Sequence, residues 1–454
     1  MKHLAFKRGA LILAVLMFSS IILSACSGSS KKEEGEVSPG GKKQEQEQVE
    51  LRLGYYSSAQ TDAKMQELVK KFQDSHPNIK VKTESSPYGQ FFQKLDTQIA
   101  AGNAPDVWLS DGVLVPKYAE RGALKDLTDL IGKDLNHDDY YGLDFNKDTN
   151  GRYWGVPQGI QIGVLYYNKD MFDAAKVAYP TTDWTWDDLK AAAEKLTLDS
   201  NGKYATDAAF DGKKVKQYGL TFFSITEGWM PVLKSFGGGV LDPTLQKSII
   251  NSPENKKALD WIVDGMSRHL LPTPADLKSF QSNMAPFPSK AAAMRIGIYA
   301  RTMDANNAGL NYDVTLLPKG PDGKRFSPVI ANSWVINKKA ENQVGDAAWE
   351  WVKFWATTDE AQKEWASLGE AVPVKKSVAN SDQFLNGKPA NKKAFLDSFE
   401  FAGTLDVNAV WSEWVGKFNE SINRAFQGEI PADQALSTAD KDVQQVLDEF
   451  YKKK

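Results

Sequence analysis

Catalysis needs particular side chains at particular spacings, and this sequence offers few. Beyond the N-terminal segment the histidines are His76, His137 and His269. They lie in unrelated stretches, which suits surface or capping positions better than a shared metal site or a general base. No Gly-rich loop ending in Lys-Ser/Thr, no Gly-x-Gly-x-x-Gly after a strand, no Gly-x-Ser-x-Gly elbow and no His-Glu-x-x-His is present, so phosphate, dinucleotide, serine-hydrolase and zinc-protease chemistries lack their usual signals. Asp199-Ser-Asn-Gly-Lys203 has some likeness to a calcium loop, but Phe210 stands where the bidentate Glu is required, and the spacing predicts a turn. No cofactor and no metal is expected. Carboxylates are abundant, and two of them from distant parts of the chain could form a glycosidase pair, although nothing in their spacing argues for one.

The elements that would position a site begin near Val49. Leu51 to Tyr55 has a strand pattern, and Met65, Leu68, Val69 and Phe72 recur at helical spacing with Thr61 as N-cap and His76-Pro77 as the stop. Ile79 and Val81 mark a second strand. Phe92, Leu95 and Ile99 mark a helix ending at Gly102, and Asp106 to Leu109 a third strand. This β-α-β-α-β order predicts parallel strands with right-handed crossovers and helices on both faces. In such a sheet, ligands sit beyond the carboxyl ends of the strands, which selects Tyr55 to Ser58, Ser85 to Tyr88, and Ser110-Asp111. Tyr56, Ser58, Tyr88 and Asp111 are the candidates there, and Gln158 and Gln161 add polar groups farther along.

After about residue 150, Tyr153 to Pro157 and Ile160 to Tyr167 read as two extended segments. Thr185-Trp-Asp-Asp188 reads as a capping box opening a helix. A second α/β region follows, with a strand at Tyr218 to Phe223, a turn at Gly237-Gly-Gly239, a helix around 255–268 and a strand near 293–298. Helices are expected near 346–356, 411–427 and 440–451. Trp349, Trp351, Trp355 and Trp365 are assigned to packing, as is most of the Trp411, Trp414, Phe418, Ile422 stripe.

The N-terminus has its own logic. Lys2, Lys7 and Arg8 precede an apolar run from Leu11 to Leu23, and Leu23-Ser-Ala-Cys26 follows. This resembles a bacterial lipoprotein signal, which implies cleavage before Cys26, acylation of its sulfur with palmitate-class chains, and extracytoplasmic anchoring to the cell membrane. Residues 1–25 would be the signal peptide and 26–48 a lipidated cysteine and polar tether. Cys26 is the single cysteine, so the mature fold would have no free thiol. With 55 basic and 58 acidic residues, the net charge is −3, too balanced for a nucleic-acid binder. At roughly 150 residues per domain, 454 residues suggest two or three domains or lobes.

Several segments together are similar to the bacterial extracellular solute-binding protein family 1, the sugar-binding lipoproteins of ABC importers related to maltose-binding protein. They are Phe72 to Ile79 (FQDSHPNI), Ala104 to Trp108 (APDVW), Tyr153 to Pro157 (YWGVP), Tyr167 to Asp170 (YNKD), Trp184 to Leu189 (WTWDDL), Ala293-Met294 with Gly297-Ile-Tyr299, and Leu317-Pro318. The resemblance implies an α/β fold of two lobes, doubly wound and hinged. Residues 49–160 and 332–375 would form lobe one, and 161–331 and 376–454 lobe two. Crossings would fall near 158–164, 329–334 and 370–378, with a carbohydrate held in the cleft. Gln161 would occupy the place of a ligand-contacting Glu, and Tyr299 the place of a stacking Trp. Glu227, Trp229, Asn332 and Trp411 complete the implied ligand set. Implied partners are the permease subunits of an ABC transporter and the membrane through Cys26, with the receptor a monomer. Two alternatives stay open, a surface polysaccharide-processing enzyme and a receptor for a non-sugar solute.

Overall fold

The computed structural model describes residues 48–222 and 225–452. Cys26, the signal peptide and the tether up to residue 47 lie outside the described residues.

The first strand, β1 (Val49–Tyr56), alternates in the expected way, burying Leu51, Leu53 and Tyr55. Helix α1 (Ala59–Ser75) follows, and its N-cap is Ser58 instead of Thr61. Both hydroxyls form one capping box in which Ser58 accepts the Thr61 N–H and Thr61 takes the third helical position. Strand β2 (Ile79–Ser86) and helix α2 (Tyr88–Ala101) come next. Gly102 ends α2 at φ 73°, a left-handed cap suited to glycine. With β3 (Val107–Ser110), the expected parallel unit is complete, β1 pairing β2 on one side and β3 on the other.

The two extended segments expected between 153 and 167 are one strand, β4 (Val156–Asn168), buried throughout its 13 residues. Pro157-Gln-Gly159 gives the appearance of a break in sequence and is a register shift within the strand. The remaining strands are β5 (Leu198–Asp199), β6 (Val215–Thr221), β7 (Ala292–Ile298), β8 (Tyr312–Thr315), β9 (Ser327–Ile336) and β10 (Ala402–Thr404). The sheet runs β2-β1-β3-β9-β4-β7-β6-β5, with β10 on β9 and β8 on β4. It is mixed, because β9 returns antiparallel to both β3 and β4. Between Ile162 and Gly163, β4 changes partner from β9 to β7. This long strand thereby joins the N-terminal parallel unit to the strands that follow.

Helices cover the sheet where periodicity places them. The capping box at Thr185 opens Trp186–Leu196, and Pro253–Ser267, Asn342–Thr357, Trp411–Phe426 and Ala432–Tyr451 fall on the expected stretches. One large core gathers β1, α1, β4, β9 and the tryptophans of Asn342–Thr357; Trp351 and Trp355 are fully buried in it. A second gathers Trp186–Leu196, Pro253–Ser267 and the last two helices around Trp229, Trp411 and Trp414. No helix among the described residues is long and apolar enough to cross a membrane.

Candidate functional site

The carboxyl ends of β1, β2 and β3 bring Tyr56, Tyr88 and Asp111 together. Asp111 caps a short 3-10 turn, Gly112–Leu114, by accepting the Val113 N–H at 3.0 Å through Oδ1. Its Oδ2 accepts the Tyr88 hydroxyl at 2.7 Å. Asn332, on β9, reaches the same turn and accepts the Gly112 N–H at 3.2 Å. A side chain at Gly112 would stand 2.7 Å from the Ala331 carbonyl oxygen, so only glycine lets the turn lie this close to β9. Tyr56 packs edge-on against Tyr88 at 5.2 Å between centroids. Tyr88 is itself 50% exposed, so this aromatic pair has one face in the open.

The electrostatics of this wall follow from its burial. Desolvation raises the Asp111 carboxyl above the ordinary aspartate range, and the bonds from Tyr88 and Val113 only partly oppose it. The Tyr56 phenol is pushed up by burial and then by the charges of Asp111 and Glu370, against a hydrogen bond from Asn332. Glu370 is also raised, by burial first, with Arg301 opposing. Glu370 thus acts on Tyr56 at the first wall and is acted on by Arg301 at the second.

The second wall is built at the ends of β7 and β6. Arg301 donates from Nε to both oxygens of Glu227, at 3.1 and 3.0 Å, and from Nη2 to Oε1 at 2.7 Å. Arg295 lies 3.6 Å from the same carboxylate. Glu227 is 2% exposed, so its charge is committed to two guanidiniums, and its direct effect is to fix Arg301. Burial lowers the Arg295 pKa, whereas at Arg301 the pull of Glu227 outweighs desolvation and raises it.

Gln161 connects the parts. Its Nε2 donates to the Glu370 carbonyl at 2.6 Å and its Oε1 accepts the Ala300 N–H at 3.0 Å. A single buried amide therefore ties β4, the end of β7 and the 370 segment. That segment runs beside β4, with Ile160 and Val372 exchanging both backbone hydrogen bonds at 3.0 Å. Three residues earlier, the Gln158 carbonyl accepts the Trp355 indole N–H at 2.7 Å, while its buried amide nitrogen has no partner among the described residues.

The other sequence candidates have partners of their own. Ser58 spends its hydroxyl on the α1 cap. Tyr299 is 1% exposed and packs against Phe384 and Phe395. Trp229 stacks on Phe418 at 4.0 Å and borders a cavity of about 260 Å³ with Phe222, Phe426, Asn419 and Asn423. Trp411 meets Trp414 edge-on at 4.7 Å inside the second core. Asp199 closes a turn by accepting the N–H groups of Asn201, Lys203 and Asp211, so its oxygens already have donors. Among the described residues, no three His, Cys, Asp or Glu side chains are grouped to hold a metal.

Sequence reasoning overlooked Arg301 and Glu370. The strand-end rule that selected Asp111 applies equally to the end of β7 at Ile298, three residues before Arg301. For Glu370 the only signal was the crossing assigned to 370–378.

Comparison with known proteins agrees with this architecture. The family model of the bacterial extracellular solute-binding protein matches residues 57–363. The maltotriose-binding protein of Pyrococcus abyssi is 23% identical over 81% of this chain and 76% of its own length. The diacetylchitobiose binding protein of Streptomyces coelicolor is 23% identical over 91% and 93%. Among solved structures, an ABC substrate-binding protein of Listeria monocytogenes in complex with cycloalternan superposes with a TM-score of 0.76. It is 27% identical, covering 88% of this chain and 99% of that one. The cyclic α-maltosyl-1,6-maltose binding protein of Arthrobacter globiformis shares the fold, with a TM-score of 0.73 at 20% identity over 88% and 100%. The two-lobe α/β fold of these neighbours and a family model spanning most of the sequence lead to one conclusion: the chain belongs to the bacterial extracellular solute-binding proteins.

Proposed function

We propose that this protein is a lipid-anchored receptor that captures a carbohydrate, an oligosaccharide in particular, between two closing lobes and delivers it to the permease of an ABC importer. It performs no chemistry on its ligand. The observation carrying the reading is the pairing of a half-exposed aromatic wall, Tyr56 and Tyr88, with Asp111, Asn332, Glu370 and Arg301. Sugars present hydroxyls to carboxylates, amides and guanidiniums, and apolar ring faces to flat aromatics, and these are the groups gathered here. Relatives that bind maltotriose and diacetylchitobiose support the ligand class. Gln158 and Gln161 belong to the proposed site, the first with a free buried donor and the second as the tie that positions Glu370. Glu227 acts through Arg301.

The lobe division proposed is 49–160 with 332–375 and 161–331 with 376–454. It is supported by the change of partner along β4, whose first half pairs β9 and second half β7. Anchoring through Cys26 rests on the signal sequence. The monomer is the simplest state for a receptor that closes on its own ligand.

Native mass spectrometry on protein purified without denaturation, followed by calorimetric titration with a panel of maltose-, chitin- and galactose-type oligosaccharides, tests the reading. Saturable binding of at least one member with the glycan recovered intact supports it. Shortened glycans after incubation would establish the enzyme instead, and binding of none with tight binding of a non-sugar solute would overturn the ligand class.

A further inference from the structure

A second cavity, of about 330 Å³, has none of Tyr56, Tyr88 and Asp111 in its lining, although Tyr299, Thr302 and Gly369 adjoin Ala300, Arg301 and Glu370 in the chain. Tyr299 and the Arg301–Asn307 helix form one side, the end of the Asp359–Ser367 helix with Gly369 a second, and the stretch from Val378 to Lys392 the third. Its lining holds three lysines, Lys363, Lys388 and Lys392, and no carboxylate.

The charge of these lysines is poorly compensated. Lys392 is half-buried and donates to the carbonyls of Phe384 and Asn386 at 2.8 and 2.9 Å. An ammonium has three donors, so one remains, although Nζ also lies over the Phe384 ring, 5.4 Å from its centroid. Neither Lys392 nor Lys388 has an ion-pair partner among the described residues, and burial alone depresses the Lys392 pKa. Lys363 stands 3.4 Å from Asp359, but that carboxylate is closer to Lys375, at 2.6 Å, and is shared between two ammoniums. A partly desolvated cation without a counter-ion is costly, and an anion brought to it recovers that cost. Neutral groups point the same way: the Asn306 oxygen is taken by the Tyr312 hydroxyl, which leaves its NH2 as the group to offer.

We propose that this cavity is a binding site for a small phosphorylated anion. Lysines recognise phosphate as point charges, whereas planar carboxylates favour the fork of arginine, which is missing from the lining. The volume falls at the lower end of the range for small-molecule sites, roughly 300–1,000 Å³, and so exceeds what a bare phosphate ion fills. Tyr299, Phe384 and Leu368 supply an apolar wall for the remainder of such a molecule. The ligand class fitted is a phosphate monoester of sugar size, or pyrophosphate.

The test is isothermal titration of the folded chain with glucose 6-phosphate and with inorganic pyrophosphate, with sulfate at matched ionic strength as the control for diffuse charge. Saturable binding of either phosphate, exceeding that of sulfate, is expected, together with a loss of at least about tenfold in affinity in the Lys363→Glu/Lys388→Glu double variant. These two side chains reach solvent and hold no backbone group, but Lys363→Glu sets a second carboxylate beside Asp359, so circular dichroism checks folding of the double variant; Lys392→Met, which removes the buried charge, serves as the second variant under the same check. Asp111→Asn should leave phosphate binding unchanged, which separates this site from the proposed sugar cleft. Absence of saturable binding by both probes up to about 10 mM, or affinity equal to that for sulfate, or binding indifferent to the double reversal, would overturn the proposal.

Discussion

Asp111→Asn sets affinity against stability and so discriminates a binding residue from a structural one. The substitution keeps shape and one acceptor oxygen, so the Val113 N–H, 3.0 Å away, remains satisfied. Tyr88 loses its anionic acceptor, but it is 50% exposed and water replaces the bond. Burial raises the Asp111 carboxyl, so ionising it at neutral pH works against the folded state, and a neutral amide removes that cost. The sign is definite: a folded pKa above the unfolded one means the native state holds the proton more tightly, so its stability falls as pH rises through that interval. Asp111→Asn should therefore melt at or slightly above the wild-type temperature at pH 7. The ligand responds in the opposite sense. A hydrogen bond to a charged group contributes about 1.5–3 kcal/mol, so affinity should drop about tenfold to a hundredfold. Wild-type affinity should also weaken as pH falls through the titration of the Asp111 carboxyl, and the variant should lose this dependence. Calorimetric titration at several pH values with a parallel thermal melt reads both quantities. Affinity within twofold of wild type in a folded variant would refute the argument, and a large drop in melting temperature would show that the carboxylate serves the fold.

Glu84 makes the opposite case. Burial would raise its carboxyl, but the Gln98 amide, Lys94 and Arg52 hold it at about 2. That stabilisation is present above the unfolded value of about 4.3, is lost as pH falls toward 2, and amounts to about 2–3 kcal/mol at most. Glu84→Gln should show the loss at pH 7 in urea unfolding, and an unchanged midpoint would refute the pairing. Gln161→Glu would set a carboxylate oxygen against the Glu370 carbonyl, now 2.6 Å from an N–H donor. It should destabilise by about 1–3 kcal/mol at pH 7 and recover at low pH once protonated; a pH-independent melt would sink the account. Cys26→Ala should release the protein from membranes, and a variant that still sediments with them after a salt wash would contradict lipidation. Saturating ligand should lower the radius of gyration in solution scattering, and superimposable curves with a ligand proven to bind would exclude closure.

Local chemistry was legible and long-range geometry was not. The capping box at Thr185 and the glycine stop at 102 involve neighbours in sequence, and both appear where the residues require them. The β-α-β-α-β unit also follows from periodicity, and with it the strand ends that bring Tyr56, Tyr88 and Asp111 into contact. β4 was split because Pro157 and Gly159 are strand breakers in isolation, yet β9 and the 370 segment hold the strand across them. The single cysteine and the scattered histidines point away from catalysis in the sequence, but Glu370 and Arg301 gain their place only from the 161, 300 and 370 segments meeting. The Tyr299 ring shows the same limit from another side: its spacing after Gly297 is local, while its packing on Phe384 and Phe395 depends on residues far along the chain.

That meeting has a mechanical consequence. A receptor distinguishes empty from loaded only if its ligand has a different affinity for two states, and the difference must be transmitted where the strands cross. Gln161 lies on β4 one residue before the strand changes partner, and it binds the backbone of two other segments. In the proposed lobe division, Gln161 and Ala300 move as one body, so bending at this point acts on the Gln161–Glu370 bond, which alone of the two crosses between lobes. It thereby alters where Glu370 stands between the aromatic wall and Arg301. A buried amide with both ends bonded permits few intermediate geometries, because a half-broken pair leaves a buried donor or acceptor unsatisfied at about 1–3 kcal/mol. On the proposed lobe division, the crossing is expected to favour two discrete arrangements over a continuum, the behaviour that the proposed closing receptor requires.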